Sequence, residues 1–421
     1  MDTIFAEATP PGRGGVAVIR ISGPDAWRCV EVLTGSVPSP RSAALRDLAW
    51  QGDLIDRALV LCFDEGRSFT GEQSAELQLH GAPVVVARAR AVLTELGLRP
   101  ASAGEFTRRA FLNGRLDLVE AEALADLLDA DTEAQRKQAM RVADGALGRL
   151  VGDWRRDLVQ AGALVEVTID FADEEVPVEI PDECFDLIDK VTTSLRDQIT
   201  SYPAAEALRQ GFEVAIIGPP NVGKSSLLNR IARRDIAIVS EIAGTTRDII
   251  ELRTDLRGLS VTFLDSAGLR ETSDPVESIG VTRARTRAAA ADLKIYLTED
   301  GAVDQSILDG QDIVVRTKSD LDAREGISIS SLTGDGIEDL LDLVYEKLRF
   351  RTAGAGLIAR ERQAAAVRAA VAELSRIRRE QDGEIVAEHI RRAIASLDEL
   401  IGRVGAEDYL DVVFSSFCIG K

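Results

Sequence analysis

Residues 212–229 read FEVAIIGPPNVGKSSLLN, and their order decides the fold of the segment around them. An apolar run leads into the pattern G-x-x-x-x-G-K-[ST], from Gly218 to Ser225, and the helical pattern LLNRIARR follows. Strand, glycine loop and helix stand in the order that a phosphate-binding loop requires. The glycines let backbone N–H groups wrap phosphates, Lys224 reaches the β and γ oxygens, and Ser225 offers a hydroxyl to Mg²⁺. Val222, Gly223 and Ser226 belong to the same cradle. Outward from it, VTFLD, LKIYLT, DIVVRT and GISISS are short apolar runs separated by helical patterns. That alternation predicts a mostly parallel α/β sheet.

The other stations of a nucleotide site follow along this sheet. DSAG (265–268) closes VTFLD, so that Asp265 can enter the Mg²⁺ shell and the Gly268 N–H can meet a γ-phosphate. Thr246, in GTTRD, is placed as the switch residue that ligates Mg²⁺ while the γ-phosphate is present. TKSD (317–320) follows DIVVR; with Lys318 beside it, Asp320 can accept both N–H groups on the Watson–Crick edge of guanine, which selects GTP. The usual motif begins with Asn, and the Thr317 hydroxyl offers one hydrogen bond instead of an amide fork, which lowers affinity more than specificity. SSLTG, from Ser330 to Gly334, completes the base pocket through its backbone. Leu269, next after DSAG, cannot orient an attacking water as a glutamine does. Two residues are candidates to act instead: Asn221, holding a monovalent cation with backbone oxygens around Ser240 to Thr245, and Glu277 in DPVESIG, acting on the water directly or through a second one. Each reads equally as a solvated surface residue.

A chain of 421 residues, 45% apolar, can bury several cores, and two to four domains are expected. Residues 1–116 carry alternating runs such as GVAVIRISG and RALVLCF, the pattern of an α+β module. From 117 to 208 apolar residues recur at three and four with dense charge between them, broken by ADEEVPVEIPDE, and the helical signal returns over 350–421. The α/β segment, 209–349, then reads as an insertion into an all-α domain. The net charge of −20 argues against a long nucleic-acid groove, so any RNA is held by a local patch or by a partner. No stretch approaches 18 uninterrupted apolar residues and MDTIFAEATPP has no targeting character, which predicts an unprocessed cytoplasmic protein without membrane spans. Four scattered cysteines and two histidines favour neither a disulfide scaffold nor zinc, so any metal should have oxygen ligands. Cys418, in FSSFCIGK, resembles a prenylation box, but Lys421 does not fit its last position.

Across nearly its whole length the chain resembles the MnmE/TrmE family of tRNA-modification GTPases, which form 5-carboxymethylaminomethyluridine. The resemblance is carried by ATPPGRGGVAVIRISG, SFTGE, GEFTRRAFLNGRLDLVEAEA, IDFADEE, GPPNVGKSSLLN, IAGTTRD, DSAGLRETSDPVESIG and FSSFCIGK. It implies a multidomain fold: an α+β N-terminal tetrahydrofolate-binding and dimerisation domain, an all-α helical domain, and an inserted Ras-like P-loop G domain. It implies K⁺ held by Asn221, Ser240, Ile242 and Thr245, Mg²⁺ held by Ser225 and Thr246, and Glu277 as the catalytic glutamate. Arg20, Glu76, Arg115 and Lys421 match positions that hold a 5-formyl- or 5,10-methylene-tetrahydrofolate, and Cys418 would reach the one-carbon unit as nucleophile or proton relay, or simply pack. The implied assembly is a homodimer joined to an FAD-dependent MnmG/GidA-type partner in a heterotetramer or larger complex, acting on tRNA. GTP hydrolysis would drive its cycle while an aminomethyl or carboxymethylaminomethyl group is added to C5 of the wobble uridine. The rival readings are a ribosome-assembly-type RNA-binding GTPase switch, which would normally add a basic domain, and a folate-dependent aminomethyl transferase merely regulated by its G domain.

Overall fold

The computed structural model describes residues 2–170, 179–233, 251–265, 286–303, 308–320, 326–403 and 420. The chain divides into two compact units, one of Met1–Ala125, Gly148–Asp153 and Ile394–Lys421, the other of Asp126–Leu147 and Trp154–Ala393.

The first unit is built on six strands, β1 (Ile4–Glu7), β2 (Val16–Ser22), β3 (Ala44–Trp50), β4 (Asp53–Phe63), β5 (Ser74–His80) and β6 (Arg99–Pro100), in the order β3-β4-β5-β2-β1-β6. All neighbours are antiparallel except β1 and β6. Alternation sorts the faces: in β2, Ala17, Ile19 and Ile21 are buried while Val16 is exposed. The buried face packs with apolar residues of α1 (Ala26–Thr34) and α2 (Pro83–Glu95), among them Val30, Leu33, Val92 and Leu93. α3 (Glu105–Leu112) and α4 (Leu118–Leu128) follow, and the amide of Leu118 donates to the carbonyl of Ile401 at 3.2 Å.

In the second unit α5 (Glu133–Ala143), most of α6 (Ala146–Asp170) and α7 (Asp182–Gln210) precede the inserted sheet, and α10 (Glu361–Leu374) and the first part of α11 (Gly383–Leu400) follow it. The run read as long helices breaks where Thr132 and Gln135 form a reciprocal capping box, and again near Asp144 and Gly145. The sheet has the order β11-β10-β7-β9-β8, from β7 (Phe212–Ile217), β8 (Glu251–Leu256), β9 (Leu259–Asp265), β10 (Leu293–Thr298) and β11 (Ile313–Arg316). It is parallel except for the β8–β9 hairpin. Its core joins Val214, Ile216, Phe263 and Ile295 to Leu227 and Ile231 of α8 (Lys224–Ala232) and Leu340 and Val344 of α9 (Ile337–Arg349). GISISS forms no strand; it makes one bridge, Arg316 to Ser328, because β11 stops at Arg316 and leaves almost nothing to pair with.

Candidate functional site

The P-loop leaves β7 at the middle of its sheet. Gly218 has φ +143°, and a Cβ there would lie 2.4 Å from the Leu297 carbonyl oxygen, so the turn excludes any larger residue. Asn221 adopts φ +62° and is exposed, and Gly223, at φ +106°, opens α8. No side chain caps that helix, so its first N–H groups are directed at whatever the loop encloses. Lys224 is buried, and its Nζ donates to the carbonyls of Gly218 at 2.8 Å and Pro219 at 2.9 Å. Burial pulls its pKa below the ordinary lysine value, and the charge of Asp265 opposes that. Ser225 Oγ donates to Asp265 Oδ2 at 2.6 Å. Asp265 is buried at the end of β9, where it pairs with Ile216 of β7. A hydroxyl and a carboxylate in contact beside a phosphate cradle form the oxygen donor set that Mg²⁺ takes, with phosphates and waters completing it. Val222 turns its side chain into the core and offers only its backbone, whereas Ser226 is exposed.

The base motif lies at the end of β11. The amide of Thr317 donates to the Thr298 carbonyl at 2.9 Å, while its buried hydroxyl has no partner among the described residues. Lys318 has φ +62°, and its Nζ is paired with Glu299. Ser330 Oγ donates to Asp320 Oδ1 at 2.6 Å, so the structure brings Asp320 and the SSLTG segment together. Ser240, Ile242, Thr245, Thr246, Gly268, Glu277, Cys418 and Lys421 lie outside the described residues.

In the first unit Arg20 and Glu76 are register partners on β2 and β5, and the arginine donates twice to Glu76 Oε1, at 3.1 and 3.0 Å. The Arg20 guanidinium lies 5.5 Å from the Phe69 ring centre and 6.0 Å from that of Phe106. Arg115 does not join this pair; its Cγ lies 3.2 Å from where a Cβ would stand on Gly71. Gly420 packs on the end of β1, where a Cβ would come within 2.4 Å of the Glu7 carbonyl oxygen, in the strand pair that carries Arg20. A network around the buried Arg109, joining Asp2, Glu72 and Glu105, has no single sequence signature, because its members are up to 107 residues apart. Its Asp2 carboxyl is held down at about 2, chiefly by its hydrogen bond from Arg99.

A phosphate loop at the end of a central parallel strand, a serine–aspartate pair beside it and a guanine-type motif two strands away define a P-loop protein of the GTPase class. Residues 3–115 match the family described as the GTP-binding protein TrmE N-terminus, and residues 118–418 match the MnmE helical domain. The chain is 62% identical to the tRNA modification GTPase MnmE of Paracoccus denitrificans (strain Pd 1222) over 421 residues, covering 100% of both chains. It is 53% identical to the protein of the same name from Cereibacter sphaeroides (strain ATCC 17029 / ATH 2.4.9), again over 100% of both. The chain belongs to the MnmE/TrmE family. Among solved structures, the G domain of the T. maritima FeoB iron transporter is similar over 32% of this chain and 98% of its own, with 25% identity and a TM-score of 0.26, too low to bear on function. No helix among the described residues is long and apolar enough to cross a membrane.

Proposed function

We propose that this chain is a potassium-activated GTPase of tRNA modification. Working with an FAD-dependent MnmG/GidA-type partner, it adds an aminomethyl or carboxymethylaminomethyl group to C5 of the wobble uridine. The observation that carries the GTPase reading is the cluster of Lys224, Ser225 and Asp265 at the mouth of the P-loop. Lys224 trades its carbonyl partners for β- and γ-phosphate oxygens, and the α8 N–H groups bind the same phosphates. Asp320 orients the guanine, supported by the Ser330 hydroxyl. Glu277 holds or activates the water that attacks the γ-phosphorus. Mg²⁺ would be held by Ser225 and Thr246, with Asp265 in its shell, and K⁺ by Asn221, Ser240, Ile242 and Thr245; these ions supply positive charge beside the transferring phosphoryl group.

Arg20, Glu76 and Arg115 of the N-terminal domain, joined by Lys421 of the C-terminal tail, hold a tetrahydrofolate one-carbon donor. The Arg20–Glu76 pair and the seating of Gly420 on β1 support that reading. A net charge of −20 suits a homodimer whose flavoprotein partner holds most of the tRNA. The test is GTP turnover in KCl and in NaCl at equal ionic strength, with Asn221→Ala beside the parent. The expected outcome is a rise in kcat of about tenfold or more in potassium that is lost in the variant. Equal rates in both salts overturn potassium activation.

A further inference from the structure

The SFTGE loop (68–72), between β4 and β5, is fastened to two elements of the first unit. The first is β2, where Arg20 and Ser22 stand two residues apart and so share a face of the sheet. The Arg20 guanidinium lies 5.5 Å from the Phe69 ring centre. Ser22 Oγ donates to Glu72 Oε2 at 2.6 Å and lies 2.7 Å from Thr70 Oγ1. The second element is α3, which presents Phe106, Arg109 and, just past its end, Asn113 at i, i+3 and i+7 along one stripe. Phe106 lies 6.0 Å from the same guanidinium, Arg109 Nη1 donates to the two Glu72 carboxylate oxygens at 3.3 and 3.1 Å, and Asn113 Nδ2 donates to the Thr70 carbonyl at 2.7 Å.

Glu72 is the point at which the strand and the helix both grip the loop. Its side chain is 14% exposed and that of Arg109 6%, so little water screens the pair. Arg20 commits Nε and Nη2 to Glu76, which leaves Nη1 without a partner among the described residues. Where that group points is set by Glu76 along one edge and by the rings of Phe69 and Phe106 beside it. We propose that Glu72 is a positioning residue for the tetrahydrofolate site, whose carboxylate holds the 68–72 loop so that Phe69 stays against Arg20. The inference rests on the role given above to Arg20, and Glu72 acts through Phe69 without itself touching the ligand.

The experiment measures the Kd for 5-formyltetrahydrofolate and the melting temperature of the full-length chain for Glu72→Gln, Phe69→Leu and the double variant, with Arg20→Ala as a control. Glu72→Gln keeps the shape of the side chain and removes the charge that Arg109 and Ser22 grip, so it should weaken binding about tenfold. Arg109 keeps Asp2 and Glu105 as partners at 2.8 and 3.0 Å, so melting should stay close to the parent. Phe69→Leu removes the ring face beside Arg20 and should weaken binding about fivefold. Because Glu72 acts through Phe69, the double variant should bind within about twofold of the weaker single one, whereas two independent losses would multiply to about fiftyfold. Asn113→Ala, which releases the Thr70 carbonyl, carries the same test should Glu72→Gln fail to fold, with a loss of about threefold that disappears in the Phe69→Leu background. A Kd for Glu72→Gln or Phe69→Leu within about twofold of the parent, or a multiplied loss in the double variant, overturns the inference alone when Arg20→Ala no longer binds. Binding by Arg20→Ala as tight as the parent's overturns the reading on which it rests.

Discussion

Thr317 is the residue at which this chain departs from its expected base motif, and its hydroxyl is buried without a partner among the described residues. An orphaned buried hydroxyl costs about 1–3 kcal/mol. The nearly isosteric Thr317→Val removes that cost, so it should stabilise the nucleotide-free chain by about 1 kcal/mol in chemical denaturation. If the hydroxyl serves the guanine, the same change should weaken GDP binding several-fold. Opposite signs in two assays on one variant separate a recognition role from a packing one. The phosphate side of the site was legible because its chemistry needs contiguous residues, from Gly218 to Ser225. The grip of Arg109 and Ser22 on Glu72 was not legible, because those partners lie 37 and 50 residues away and only the fold brings them together.

At the scale of elements, α4 begins with a reciprocal pair: the Glu120 amide donates to Asp117 Oδ1 at 2.7 Å, and the Asp117 amide donates to Glu120 Oε2 at 2.8 Å. Burial pushes the Asp117 carboxyl up from 3.8 to about 6, aided by the charges of Glu120 and Glu122 against the cap hydrogen bond. The native state therefore binds this proton more tightly than the unfolded chain. Stability should fall as pH rises through the window from 3.8 to about 6, and the cost is complete above it. Asp117→Asn keeps the cap acceptor, so it should flatten that dependence and raise stability at pH 7 by about 2 kcal/mol, read by urea melts across the window.

The strands β2, β4, β9, β10 and β11 were legible as apolar runs. β8 was not, because Glu251, Arg253 and Asp255 alternate with Leu252, Thr254 and Leu256 and mask a half-buried edge. The helices between 118 and 170 were legible in kind, but their breaks depend on the cap at Thr132 and the turn near Gly145.

For the molecule as a whole, the three described cysteines are buried in its cores, and burial pushes Cys29 up to about 12 and Cys62 and Cys184 up to about 11. At neutral pH they carry almost no thiolate and should not react with an alkylating reagent. A thiol count on the native chain should therefore find none of these three reacting fast, and any single fast-reacting thiol should be lost in Cys418→Ser. Three or four fast thiols in the parent would mean that the cores open. A second expectation concerns Gly211, the only residue between α7 and β7. It has φ +76°, and a Cβ there would lie 2.8 Å from the Ser260 carbonyl oxygen, so Gly211→Ala should cost more than about 1 kcal/mol in a denaturant titration.

That joint ties the strand feeding the phosphate loop to a helix of 29 residues, with no slack between them. Such a helix is a lever about 43 Å long, and carried rigidly through about 10° its far end sweeps roughly 7 Å. A torsion too small to notice beside the phosphates would arrive at Asp182 as a displacement the size of a side chain.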